Sequence, residues 1–357
     1  MPKRKLKPQT NAFSIEALLK CKGFDTGFIK PGIKLSLDTI IPANQTKLLP
    51  KVDGNSQKII NYSALSVLYN SKRKLPFFAA CNIDGTSRQK NAPRPAFQPD
   101  PRIKQEIQLN KTFYKKKTGA RTVFQIGHMA SNNEMGRGPE GPLRAAQTFH
   151  FTNAAPQAGR LNAGLWSGLE SYIIKHAAKL KGNKRICLFT GPVLTSFDPG
   201  FTLEPDFKVP LLFFKVIVFS ALSGMYVTAF ILSHEKKLLG DGMLIDKNRK
   251  VLRGSDQTAQ LFFEDYQYKE VFQVNMSELK DLTGFNFNWP KVKPLVIPEK
   301  KRRMEIIKSV ENAKDAKAVV RVMRGPLSTI NLVTTKNEIS LSALKNNNYL
   351  LTMVLPE

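Results

Sequence analysis

The stretch 211–232 restricts the fold of this chain more than any other, because its 22 residues contain a single charge, Lys215. A run of that length can cross a bilayer as a helix. Its chemistry opposes that reading. Ser220, Ser223 and Gly224 place a turn at the midpoint, and the flanks 211–219 and 225–232 are rich in Val, Ile, Phe and Tyr. β-Branched and aromatic side chains lose freedom in a helix and pack well on a pleated surface. The stretch therefore predicts a β-hairpin of two buried strands.

The rest of the chain supports a sheet-based fold. Hydrophobic residues make up 42% of 357, enough to fill a real core and too many for wholesale disorder. Strands are expected at 64–69 and 77–83 around the basic turn Lys72, Arg73 and Lys74. Pro93, Pro95, Pro99 and Pro101 mark 86–101 as an irregular excursion. Val123 and Phe124 lead into a Gly/Asn-rich loop over 127–141, and 147–152 reads as a short strand. Pro156 suits a first helical turn, which predicts a long helix over 159–181. Strands at 185–190 and 270–274 follow, then a helix at 277–283 capped by Gly284. The pattern is α+β, with strands predominating. Composition divides the chain into a basic arm (1–18), a main domain (19–290), a basic linker holding Pro294 and Pro298 (291–303), and a small extension (304–357). A helix over 304–323 and then strand over 328–355 are expected in that extension.

A formal charge of +27 exceeds what solubility requires, and most of it lies in the body of the chain, outside the basic termini. It points to a polyanionic partner, nucleic acid ahead of an anionic membrane. Cys21, Cys81 and Cys187 are far apart and form no C-x-x-C pair, which argues against a zinc ribbon or a disulfide framework. Glu16 and Lys20 interrupt any apolar region near the start. No signal peptide is expected, and a cytoplasmic location follows unless a specialised route delivers the protein.

The chemistry-bearing residues cluster in the middle. Gly127-His128 ends a strand candidate, and Asn153 closes the segment Phe149, His150, Phe151, Thr152. Then Asn162, Trp166 and Glu170 recur at i, i+4 and i+8 on one helical stripe. An imidazole, a carboxamide and a carboxylate are thus offered by one strand–loop–strand–helix unit.

These segments resemble the DNA/RNA non-specific endonucleases, the ββα-metal or His-Me finger enzymes related to endonuclease G. The likeness rests on His128-Met129, on residues 148–157 ending in Pro156-Gln157, and on Leu161-Asn162, Trp166 and Leu169-Glu170. Thr190-Gly191-Pro192-Val193, Phe214-Lys215-Val216, 229–232 and 271–287 continue it downstream. Cys81 to Gly85 and Asp100-Pro101-Arg102 continue it upstream, so that it covers roughly residues 20–290. It implies a ββα-metal nuclease fold with a central, mostly antiparallel sheet and one long active-site helix.

The resemblance also implies roles. His128 would be the general base, its ordinary pKa near 6.5 suiting neutral pH. Asn153 would ligate one Mg²⁺, for which Mn²⁺ could substitute. Glu170 would hold metal-bound waters, and Asn162 would support the helix–loop geometry or the water network. His150 would be structural, Trp166 and Leu169 core, and His176 and His234 surface residues. Arg73 or Lys74 would contact phosphate. The family usually reads Asp-Arg-Gly-His at the base, where this chain has Gln125, Ile126, Gly127 and His128. Either another cation, such as Arg121, Arg137, Arg144 or Arg160, replaces that arginine, or catalysis is slowed. The expected partners are DNA and RNA, with a homodimer and an inhibitor or gating partner as further expectations. No membrane partner is expected. A weakened nuclease that only binds nucleic acid, and a basic scaffolding protein, are the alternatives.

Overall fold

The computed structural model describes residues 12–54, 56, 58–85, 92–159, 161–179, 184–221, 224–252, 270–295, 303–304 and 328–331. Among them a ten-stranded sheet forms the centre. Its order runs Ile60–Tyr62, Leu65–Asn70, Leu75–Asp84, Arg185–Pro192, Leu212–Ala221, Gly224–Ser233, Glu270–Val274, Ser328–Asn331 and Arg303–Met304, with Val292–Pro294 beside Gly224–Ser233. The pairs are antiparallel except the two made by Val292–Pro294 and Arg303–Met304. The expected α+β architecture with a mostly antiparallel sheet is what the chain adopts.

The apolar stretch is a hairpin, with Leu212–Ala221 paired in register to Gly224–Ser233. Its strands read as continuous hydrophobic runs because the sheet is covered on both faces. On one face Phe213, Ile217, Phe219, Phe230 and Leu232 join a core that includes Phe124, Trp166 and Leu169. On the other, Phe214, Val216, Val218, Ala229 and Ile231 pack with Phe285, Phe287 and Trp289. Each such side chain buried contributes about 1.5–3 kcal/mol, so the hairpin anchors both layers. Lys215 falls on the first face, and it is fully buried. Among the described residues no helix is long and apolar enough to cross a membrane.

The helix near residue 280 is Met276–Thr283, ended by Gly284 at φ 73° as the sequence predicts. Elsewhere the structure departs from expectation. Residues 147–152 form no strand: the helix Gly141–Gln147 ends there, and a 3-10 turn covers Phe151–Asn153. The strand comes next, Ala154–Ala158, and Pro156 lies inside it opposite Ile126. A two-stranded ribbon has open edges, so a proline without an N–H is tolerated there. The predicted long helix begins as a π-helix, Leu161–Trp166, and continues as the α-helix Ser167–Lys179.

The expected linker also starts differently. Val292–Pro294 pairs with Met225–Val227, Val292 and Leu295 are buried, and the Leu295 N–H donates to the Val227 carbonyl (2.8 Å). These residues belong to the sheet. Apart from the short strands Arg303–Met304 and Ser328–Asn331, the predicted helix-then-strand extension lies outside the described residues, as do the first eleven residues of the basic arm.

Candidate active site

A ββα unit lies on the Trp166 face of the sheet. The strand Phe124–His128 pairs antiparallel with Ala154–Ala158, setting His128 opposite Ala154, and the helix follows directly. Close approach fixes Gly127, since a Cβ there would lie 2.1 Å from Gln157 Oε1. Gln157 is fully buried, and neither of its amide atoms has a hydrogen-bond partner among the described residues.

His128 occupies an aromatic slot. Its ring lies 4.6 Å from that of Phe97 and meets Phe149 edge-on at 4.7 Å. The residue is half-buried, but its Nε2 is enclosed and has no hydrogen-bond partner among the described residues. Burial, reinforced by the nearby charge of Arg94, pushes the imidazole down to about 3. Charging it there would require desolvating a cation beside another cation. The ring is thus neutral at physiological pH, ready to accept a proton but less basic than the ordinary value near 6.5 that the sequence implied.

Asn153 does not fit the role of direct metal ligand. Its side chain is fully buried, and Oδ1 accepts from the Ala130 N–H (3.0 Å). Its Nδ2 donates to the Ala130 and Thr148 carbonyls (2.8 and 2.9 Å). The Met129 N–H donates to the Asn153 carbonyl (2.8 Å). This carboxamide clamps the turn after His128 and is committed to backbone. Asn162 stands in the π-helical turn, eight residues before Glu170, and its side chain lies outside what is described.

Glu170 is buried among charges. Lys215 Nζ pairs with Glu134 Oε1 at 2.9 Å, both side chains being fully buried. The second oxygen of Glu134 accepts from the Ser131 N–H (2.8 Å), completing a capping box on the short helix Asn132–Met135. The Ser131 hydroxyl accepts from the Glu134 N–H (3.3 Å). Burial first, then the charge of Glu134, push Glu170 up to about 8 against the pull of Lys215. Glu170 therefore holds its proton at neutral pH, and a further cation beside it would favour the carboxylate. Among the described residues no three His, Cys, Asp or Glu side chains converge as a metal cage. A hard ion that keeps most of its waters needs no such cage.

The expected phosphate contacts separate. Arg73 is a structural staple: it pairs with the buried Asp198 (2.6 Å) and donates to the Thr195 and Lys208 carbonyls (3.0 and 2.9 Å). Lys74 and Arg121 are exposed. Arg137 is half-buried, and Arg144 pairs with Glu140 at 2.9 Å. Arg160 lies outside the described residues. Sequence reasoning missed Arg94, whose charge reaches His128 and whose guanidinium donates to Asn133 Oδ1 (3.1 Å). The signal was available as Arg94 and Phe97 inside the proline-rich excursion, a cation and an aromatic just upstream of the histidine strand.

Packing settles the places of His150 and His234. His150 is buried, stacked on Tyr62 at 4.7 Å, and Nδ1 donates to the Gln147 carbonyl (2.9 Å). His234 is not a surface residue: Nδ1 accepts from the Ala158 N–H (3.1 Å) and Nε2 donates to the Pro210 carbonyl (2.7 Å). Burial pushes it down to about 4. The side chain of His176 lies outside what is described, and Trp166 and Leu169 are core as expected.

Known proteins provide an independent comparison. Residues 45–293 match the family described as DNA/RNA non-specific endonuclease. An uncharacterized protein, y4fB of Sinorhizobium fredii (strain NBRC 101917 / NGR234), is 29% identical over 198 residues. That region is 52% of this chain and 28% of the relative, so the chain spans under a third of the relative's length. The solved EndoG/EndoGI complex, described as showing the mechanism of EndoG inhibition, aligns with 70% of this chain and 92% of that one. The identity there is 16% and the TM-score 0.45. With the family match covering well over half of its residues, this chain belongs to the DNA/RNA non-specific endonuclease family.

Proposed function

We propose that the protein is a Mg²⁺-dependent, sugar-non-specific endonuclease that hydrolyses phosphodiester bonds in DNA and RNA, with His128 as general base. The observation that carries this reading is the placement of His128 at the end of the ββα strand, with Glu170 on the helix of the same unit. Because Nε2 is walled in, the other ring nitrogen, Nδ1, takes the proton from the attacking water. Arg94 supplies the positive charge at the scissile phosphate that Ile126 does not.

A divalent cation fits the residues present, since Glu170 is a buried carboxylate with too little positive charge around it. Glu170 would hold it through bound water, and Asn162 is the carboxamide that remains for direct ligation once Asn153 is committed to backbone. When bound, the ion neutralises charge developing on the phosphate and stabilises the leaving 3′-oxygen. Exposed Lys74 and Arg121 hold the nucleic-acid backbone, which carries no base information. A non-specific nuclease endangers its own cell, so an inhibitor or gating partner belongs to this reading, as does homodimerisation.

One assay tests it. Supercoiled plasmid and a structured RNA should both be cut with Mg²⁺ present and left intact with EDTA, and cutting that persists in EDTA would refute the metal requirement. The replacement of the usual arginine by Ile126 and the aromatic enclosure of His128 favour a second reading, a weakened nuclease that binds nucleic acid. Tight, salt-sensitive binding without cutting would support it.

A further inference from the structure

Lys215 is the one charge in the most apolar stretch of the chain, and it lies beneath the ββα unit. Its ammonium reaches both halves of that unit. Toward the His128 side it pairs with Glu134 (2.9 Å), whose other oxygen takes the Ser131 N–H (2.8 Å), three residues after His128. Ser131 follows Ala130, which Asn153 grips through both its N–H and its carbonyl. Toward the helix side the ammonium lies 5.0 Å from the centre of the Trp166 ring, at the end of the π-helical turn that leads to Glu170. A cation over an aromatic face is held there by the ring's quadrupole.

A buried ion pair is poor value as a stability device, since apolar residues of similar volume usually serve as well or better. What the apolar substitute lacks is direction. The ammonium has three donors on a stem fixed in the central sheet, and it meets partners from two separate segments. We propose that Lys215 is a positioning residue: it ties the turn after His128 to the helix bearing Glu170 and sets the distance between the two halves of the site. This inference rests on the nuclease reading for its catalytic consequence, and on geometry alone for the tie itself.

Two measurements test it. The first is native-state amide exchange on the unmodified protein. If the tie holds, the Ser131 N–H is released only when the sheet opens, and its protection matches that of strand Leu212–Ala221. Exchange of Ser131 orders of magnitude faster than that strand would overturn the proposal, whether or not the protein cuts nucleic acid. The second uses the double variant Lys215→Met/Glu134→Gln, which removes both members of the ion pair at once so that neither is left charged without the other. Its kcat should fall about a hundredfold with KM within about twofold, because small misplacement of catalytic groups acts on the transition state. A folded double variant with unchanged kcat would overturn the positioning role. Should the unmodified protein fail to cut at all, the nuclease reading fails, and the exchange result alone decides on the tie.

Discussion

Asn153 and Asn162 offer the same carboxamide nine residues apart in the sequence, and hydrogen bonding defines what the first of them does. Asn153 uses both ends of its amide on backbone. Asn153→Asp should therefore cost about 2–3 kcal/mol, because a carboxylate cannot donate to the Ala130 and Thr148 carbonyls. Urea unfolding measures this, and an equally stable variant with tighter Mg²⁺ binding would restore the ligand role. Arg94→Ala should lower kcat/KM by about 10²–10³. The same change removes a repelling cation, so the His128 pKa should rise, which histidine NMR titration reads directly. That His128 and Glu170 fall in one ββα unit was legible, because the strand–loop–strand–helix order shows in the sequence. Arg94 was not, because a proline-rich segment gives no periodicity from which to place its side chains.

At the scale of elements, the hairpin was legible from composition: two apolar flanks around a turn admit few other structures. Its meaning came only with the sheet. Both faces are covered, so alternate residues serve different layers, and Lys215 falls under the site by strand parity. Residues 147–158 were misread for a physical reason as well. Pro156 is at home in a first helical turn and equally in an open-edged ribbon, and only the pairing with Ile126 decides. The ribbon depends on Gly127, where a Cβ would collide with Gln157. Gly127→Ala should destabilise by about 1–3 kcal/mol through overpacking, measured as a fall in the urea midpoint at unchanged slope. An unchanged midpoint would mean that Gln157 moves aside freely.

For the molecule as a whole, the net charge of +27 makes nucleic-acid binding a matter of counterion release, so affinity should fall linearly with salt on logarithmic axes. Stability should also depend on pH. His128 and His234 are held near 3 and 4, and burial lowers His150 as well. A histidine whose folded pKa is lowered binds its proton more readily when unfolded. Its contribution is complete above pH 6.5 and declines as pH falls toward the folded value, by about 1.4 kcal/mol per unit for each histidine. Thermal melts between pH 7 and pH 4 should show that decline, most of it from the fully buried His150 and His234, and a flat profile would contradict their neutral state. The proposed nuclease cuts the nucleic-acid backbone through His128 of one chain. Single-turnover cleavage of an end-labelled duplex with Mg²⁺ tests it most directly, comparing the unmodified protein with His128→Ala. His128→Ala should lower the rate by about 10²–10⁴, the usual contribution of a general base, with duplex binding preserved; equal cleavage rates would rule out His128 as the base.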